Sequence, residues 1–150
     1  MANPDGSREF FNQYRIFNVG AFFRLVNSGI PQMFQWVRFG FVETASTWIP
    51  WVIYELRRRL DRAGSRLSDN LMQESHIYCT CQVGDDVPYI IKYAGENTLM
   101  IGTDYGHSDS STELDAMVNL QREGGISDEQ FHKIINTNPR VFYGLPASPE

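Results

Sequence analysis

Three short apolar segments, each followed by polar residues and then by a helical pattern, constrain the fold of this chain most strongly. The spacing predicts strands over Val37–Val42, His76–Val83 and Thr98–Gly102. Short apolar runs bounded by turn residues are typical of buried strands in parallel sheets. Strands that alternate with helices form parallel sheets with right-handed crossovers. We therefore expect an α/β domain whose three strands are parallel and adjacent in the order of the chain.

The segments between these strands carry the usual signals of helix ends. A first helix is expected over Arg8–Val26, ahead of the stop at Gly29. A second helix begins near Pro50 and closes at Gly64, since proline is tolerated in the first turn of a helix. The run Ser127–Gln130 has the spacing of a capping box and predicts the start of the last helix.

Composition and charge exclude several classes of partner. With 13 Lys and Arg against 18 Asp and Glu, the net charge is -5, and the basic surface of a nucleic-acid-binding protein is missing. No apolar stretch approaches the ~20 residues that span a bilayer, and no secretory signal is visible. Cys79 and Cys81 would share one strand face, where a disulfide between them would be strained. We expect a cytoplasmic protein with reduced thiols and with no nucleic-acid or membrane partner.

Polar residues follow the first and third predicted strands. Glu43 comes directly after Val37–Val42, and Asp104 comes shortly after Thr98–Gly102. Because the carboxyl ends of parallel strands meet at one edge of a sheet, both carboxylates are expected at the same rim. His107, in the loop after Asp104, either lines this site or makes local hydrogen bonds. The alternatives for the carboxylates are a turn or helix cap for Asp104 and a solvated side chain for Glu43.

Aromatic residues follow the first predicted strand at helical spacing. Trp48, Trp51 and Tyr54 recur every three residues, which favours packing in the core over a substrate-binding role. Trp48 is the exception, because it precedes the helix and can lean into the mouth of the site. His76 and His132 are expected to be structural.

Three sequence motifs occur in a defined order between Val37 and Leu145. They comprise Glu43 with Trp48–Pro50 directly after the first predicted strand, the run Gly102–Asp109, and Asn138 with Tyr143–Leu145. Together these motifs resemble the C-terminal part of the metal-dependent amidohydrolase superfamily. The resemblance is to the branch that includes aminocarboxymuconate-semialdehyde decarboxylase.

The resemblance implies both a fold and a role for one carboxylate. The chain would be the C-terminal portion of a TIM-type (β/α)8 barrel, one partial domain over residues 1–150. Asp104 would help to hold a divalent metal, zinc or manganese, and would accept a proton from water on that metal. Glu43, Trp48 and His107 are the candidates for binding a small-molecule substrate at the same rim.

The implied activity is that of a hydrolase or decarboxylase acting on a small carboxylated or amide-like substrate. The family's metal site also uses a His-x-His pair and a further histidine, whereas this sequence has three histidines and no such pair. Since a zinc site takes three or four ligands, we expect the chain to be inactive alone. The alternative is a non-catalytic α/β module or a partner subunit. A partial barrel also leaves open strand edges, through which self-association is expected.

Overall fold

The computed structural model describes residues 16–106 and 112–147, which form a three-stranded sheet packed against helices. The strands are β1 (Phe39–Phe41), β2 (Ile77–Cys81) and β3 (Leu99–Ile101). They pair in the order β1-β2-β3, and both pairs are parallel, with Phe39 opposite Ile77 and Cys79 opposite Leu99. The prediction of three parallel strands adjacent in chain order is confirmed, although each strand is shorter than the predicted run.

Helices precede, connect and follow the strands. They are α1 (Phe17–Asn27), α2 (Ile30–Met33), α3 (Ile49–Arg62), α4 (Leu71–Glu74), α5 (Val87–Ala94), α6 (Ala116–Glu123), α7 (Asp128–His132) and α8 (Asn138–Tyr143), with a π-helical segment over Lys133–Thr137. The predicted helix ends at Gly29 and Gly64 are confirmed, since both glycines have a φ of 71° directly after a helix cap. Within residues 16–106 and 112–147, no helix is both long and apolar enough to cross a membrane.

The predicted capping box at the start of α7 is confirmed. The Ser127 hydroxyl accepts a hydrogen bond from the backbone N–H of Gln130 at 3.2 Å. The Gln130 side chain accepts in return from the backbone N–H of Ser127 at 3.1 Å. Two N–H groups that the helix itself leaves without partners are thereby satisfied.

One face of the sheet packs against the helices and forms the core. Alternate residues of β2 share this face, and Ile77, Cys79 and Cys81 are all buried there. Helix residues complete the same cluster: Phe22, Ile53, Met72, Ile90, Leu120 and Ile134. Strands β2 and β3 are buried on both faces. This burial explains why nearly all of their residues are apolar.

Two aromatic residues that were expected in the core lie at the surface. Trp51 is 60% exposed and Tyr54 is 56% exposed, whereas Trp48 is only 8% exposed. The buried stripe of α3 instead has the spacing i, i+3, i+4 and i+7, which defines one helix face. Its members are Ile49, Val52, Ile53 and Leu56. The prediction was wrong for Trp51 and Tyr54 because this aliphatic stripe, and not the aromatic series, faces the sheet.

The opposite face of the sheet is covered in part by α8. Gly40 and Tyr78 lie opposite each other in the register, and the Phe142 ring has its centroid 5.3 Å from that of Tyr78. A Cβ placed on Gly40 would lie 2.5 Å from Cζ of Phe142. The missing side chain of Gly40 is therefore what allows the last helix to approach the sheet.

The residues of the third sequence motif attach α8 to the sheet and end this helix. Asn138 is 2% exposed, and its side-chain N–H group donates to the carbonyl oxygens of Glu96 at 2.8 Å and Leu99 at 2.7 Å. Gly144 follows the helix with a φ of 68°, the left-handed conformation that commonly closes a helix.

Replacing Gly40 with alanine is expected to destabilise the fold through its contact with Phe142. The added methyl group would overlap the ring, and overpacking of this kind costs about 1–3 kcal/mol in the free energy of unfolding. In a Phe142→Ala background the same change should cost much less, because the ring is gone. Denaturant unfolding of both single variants and the double variant measures this coupling. Strictly additive effects would show that the two residues do not interact.

Candidate functional site

Two of the predicted site residues meet at the carboxyl edge of the sheet. Glu43 follows β1 and Asp104 follows β3, and both line one cavity of about 110 Å³. Thr80 and Gln82, from the central strand and the loop after it, line the same cavity. Because the strands are parallel, their carboxyl ends open at one edge, which is where α/β folds bind ligands. The structure therefore brings Glu43 and Asp104 to a single rim.

Both carboxylate residues have an uncommon backbone conformation. The φ angle is 60° at Glu43 and 51° at Asp104, in the left-handed region that favours glycine. Aspartate adopts this conformation more readily than glutamate. Holding a residue in it lowers the stability of the folded state by roughly 1–3 kcal/mol. At Glu43 the conformation is supported by the backbone N–H, which donates to the Thr80 hydroxyl at 2.9 Å. The same conformation occurs at Ala45 in the loop after β1 and at His76 at the other end of the sheet, both with a φ of 51°.

Trp48 anchors the loop after β1 and lines a different cavity. Its indole N–H donates to the Ala45 carbonyl oxygen at 2.9 Å, and its ring lies 5.3 Å from that of Phe22. Trp48 is also one of the residues that line a larger cavity of about 790 Å³. The sequence grouped Trp48 with Glu43 and Asp104, whereas the structure places it in the wall of this neighbouring cavity. Its part in substrate binding stays a prediction.

The histidines contribute no side chain to the described rim. His107 lies outside the described residues, so its assignment to substrate binding stays a prediction. His76 immediately precedes β2, at the opposite end of the sheet from Glu43. His132 ends α7, where its ring nitrogen Nε2 lies 2.9 Å from the Asn136 amide nitrogen.

Asp85, which no sequence pattern indicated, connects the two loops at this edge. Its Oδ2 accepts hydrogen bonds from the Ser46 backbone N–H at 2.9 Å, the Ser46 hydroxyl at 2.7 Å and the Gln82 backbone N–H at 3.0 Å. Ser46 is completely buried. The carboxylate therefore joins the loop after β1 to the loop after β2. The only sequence signal for this contact was that Ser46 follows β1 and Asp85 follows β2, two strands consecutive in the chain.

The two cysteines are buried thiols that support this edge. Both cysteines are free, and both are buried. Burial raises the pKa of Cys81 to about 12, and electrostatic interactions with Asp85 and with Cys79 raise it further. A thiol with so high a pKa stays protonated near neutral pH and is a poor nucleophile. The Cys79 thiol donates to the Ala45 carbonyl oxygen at 3.3 Å.

The described residues do not by themselves make a metal centre. Residues 16–106 and 112–147 contain no group of three or more His, Cys, Asp or Glu side chains arranged to hold a metal ion. A protein zinc site takes three or four such ligands. Glu43 and Asp104 can therefore supply only part of a ligand set.

Replacing Asp85 with alanine is expected to destabilise the fold. The change leaves the buried Ser46 hydroxyl and N–H without their acceptor, and a buried group without a partner costs about 1–3 kcal/mol. Replacing the exposed Asp61 with alanine is the matched control, since a surface substitution usually changes stability by less than about 0.5 kcal/mol. Thermal or denaturant unfolding compares the two variants. Equal stability of both would mean that the Asp85 network contributes little.

The raised pKa of Cys81 predicts a loss of stability at alkaline pH. An unfolded cysteine ionises near pH 8.5, whereas the folded Cys81 has a pKa of about 12. Since folding favours the protonated thiol, this contribution is complete below the unfolded pKa and is lost as the pH rises through the folded pKa. The free energy of unfolding should therefore fall more steeply with pH in the wild type than in Cys81→Ala. Parallel pH profiles would contradict this assignment.

Comparison with known proteins places the fold. No protein-family model matches the sequence, and no curated protein matches it. Among solved structures, the chain is similar to an amidohydrolase from Mycobacterium avium subsp. paratuberculosis, with a TM-score of 0.62 and 16% sequence identity. The match covers 79% of this chain and 31% of that chain, so this chain spans under a third of that protein. It has the α/β fold of part of an amidohydrolase structure.

Proposed function

We propose that this chain is the C-terminal part of a metal-dependent enzyme of the amidohydrolase superfamily. One observation carries the proposal: Glu43 and Asp104 share a cavity at the carboxyl edge of a parallel sheet whose fold matches part of an amidohydrolase. In barrels of parallel strands, catalytic residues come from the ends of several strands at this edge. The three sequence motifs support the same assignment, including the branch that contains decarboxylases.

Asp104 carries the chemistry that this chain contributes. One oxygen of its carboxylate suits a divalent cation, zinc or manganese, and the other suits a proton. Glu43 brings a second negative charge to the same cavity. The histidine ligands that the family uses would come from the rest of the barrel. A bound metal supplies Lewis-acid chemistry, which this chain's own residues do not provide.

The reaction class that suits this rim is hydrolysis or decarboxylation of a small carboxylated or amide-like substrate. A cavity of about 110 Å³ accommodates the reacting group and little more. Glu43, Trp48 and His107 are the proposed substrate-binding residues. Trp48 would act from the neighbouring cavity, whose wall it forms.

A second candidate function is a non-catalytic α/β module or a partner subunit. The observation that favours it is the lack of a complete ligand group within the described part of the chain. Metal content separates the two candidates, because a stoichiometric divalent metal fits the enzyme and not the module.

The test compares Asp104→Asn with the wild type in the natural gene product, tagged at its C-terminus and purified from its source. Asparagine tolerates the φ of 51° at this position, so the backbone need not change. Loss of the proton acceptor should lower turnover of carboxylated and amide test substrates by about 10²- to 10⁴-fold. Metal content should fall less, because an amide oxygen still coordinates weakly.

The matched control is Asp69→Asn, which alters an exposed carboxylate paired with Arg57 and Arg66. This variant should keep both turnover and metal. A wild-type product that holds no stoichiometric zinc or manganese would favour the non-catalytic module. A large loss of thermal stability in Asp104→Asn would instead indicate that Asp104 is a structural turn residue.

A further inference from the structure

A second cavity lies beside the candidate site and has no part in the chemistry assigned to Asp104. Its volume is about 790 Å³, and it lies between the start of α1 and the loops that follow β1 and β2. Its wall is largely apolar and includes Val19 and Gly20 from α1, together with Trp48 and Trp51. Small-molecule sites typically have volumes of roughly 300–1,000 Å³ and apolar walls with a few polar groups.

Asp85 is the one charged residue among the described residues that line this cavity. Three hydrogen bonds to Oδ2 fix the position of its carboxylate. Within the described part of the chain, Oδ1 accepts no hydrogen bond, so it keeps its capacity for a ligand. A negative charge in an apolar wall favours ligands with a positive charge and disfavours anions.

The exposed indole of Trp51 adds a second feature that favours a cation. The face of an indole ring attracts a cation through its quadrupole, and tryptophan does so best among the aromatic residues. Trp51 is 60% exposed, an uncommon exposure for a residue of this size and character, and it borders the cavity. Trp48 contributes the buried part of the same wall.

We propose that this cavity binds a small molecule with an aromatic or alkyl body and a protonated amine. The body lies against the apolar wall of α1 and the indoles, and the amine pairs with the Asp85 carboxylate. The two cavities share Gln82, so such a ligand is held next to the rim that carries Glu43 and Asp104. The binding site itself does not require the proposed metal chemistry.

The first experiment measures how binding affinity depends on the charge of the ligand, with probes of similar shape. The probes are 2-phenylethylamine, 2-phenylethanol and 3-phenylpropionate, titrated against the full chain with tryptophan fluorescence and amide NMR shifts as readouts. The amine should bind at least about tenfold more tightly than the alcohol, a factor that corresponds to about 1.4 kcal/mol. The carboxylate should bind more weakly than the alcohol. Equal affinity for all three probes, or no binding of the amine, would overturn the proposal.

The second experiment blocks the cavity from Gly20. Among the described residues, no atom lies within 4 Å of a Cβ added at this position, so a larger side chain can be accommodated there. Gly20→Leu should weaken amine binding by at least about tenfold, since it occupies the apolar wall. Gly20→Ala is the matched control, because it gives the same change from glycine in the helix but leaves most of the volume open. Unchanged binding in a folded Gly20→Leu variant would overturn the proposal.

A third variant tests the charge directly. Asp85→Asn keeps an acceptor oxygen for Ser46 and Gln82 but removes the negative charge. It should abolish the preference for the amine over the alcohol while leaving alcohol binding in place. If this variant does not fold, Trp51→Ala provides the corresponding test at an exposed position, where amine affinity should fall more than alcohol affinity. A retained amine preference in every folded variant would contradict the proposal. Because each readout is binding, failure here leaves the activity test of Asp104 unaffected.

Discussion

Three hydrogen bonds converge on one oxygen of Asp85, and they set the positions of two loops at the same time. Two of the donors belong to Ser46, which is completely buried, so the network cannot be replaced by solvent at low cost. The loop held on one side contains Glu43, and the loop held on the other contains Gln82. Since Gln82 lines both cavities, the geometry of the whole carboxyl edge depends on this carboxylate.

The central strand supports the strained loop of its neighbour through polar atoms. Glu43 and Ala45 have φ angles of 60° and 51°, and both receive a contact from β2. The Thr80 hydroxyl accepts from the backbone N–H of Glu43, and the Cys79 thiol donates to the carbonyl oxygen of Ala45. Consecutive strand residues point to opposite faces, so Cys79 and Thr80 support the loop from both sides of the sheet. The two cysteines are thus explained by packing and loop support, and require no redox or metal chemistry.

Local patterns in the sequence predicted the fold better than they predicted the site. The alternation of apolar and helical segments is a local signal, and it correctly gave three parallel strands in chain order. The strand lengths were overestimated because residues at the ends of the apolar runs belong to loops; Val42, for example, is 47% exposed. Asp85 was missed because its partner Ser46 lies 39 residues earlier in the chain. An aspartate just before a helix is normally read as a cap, and only tertiary structure reveals the distant acceptor role.

The two cavities at this edge are electrostatically different, and the difference supports the roles assigned to them. Two acidic residues, Glu43 and Asp104, line the smaller cavity of about 110 Å³, and no cationic residue among the described residues lines it. Two carboxylates in one site repel each other unless a cation or a proton lies between them. The larger cavity has a single carboxylate in an apolar wall, which suits one positive charge on an apolar body. Under the two proposals, the first arrangement would take a divalent cation and the second a monovalent organic cation, so ligand charge would distinguish the two adjacent sites.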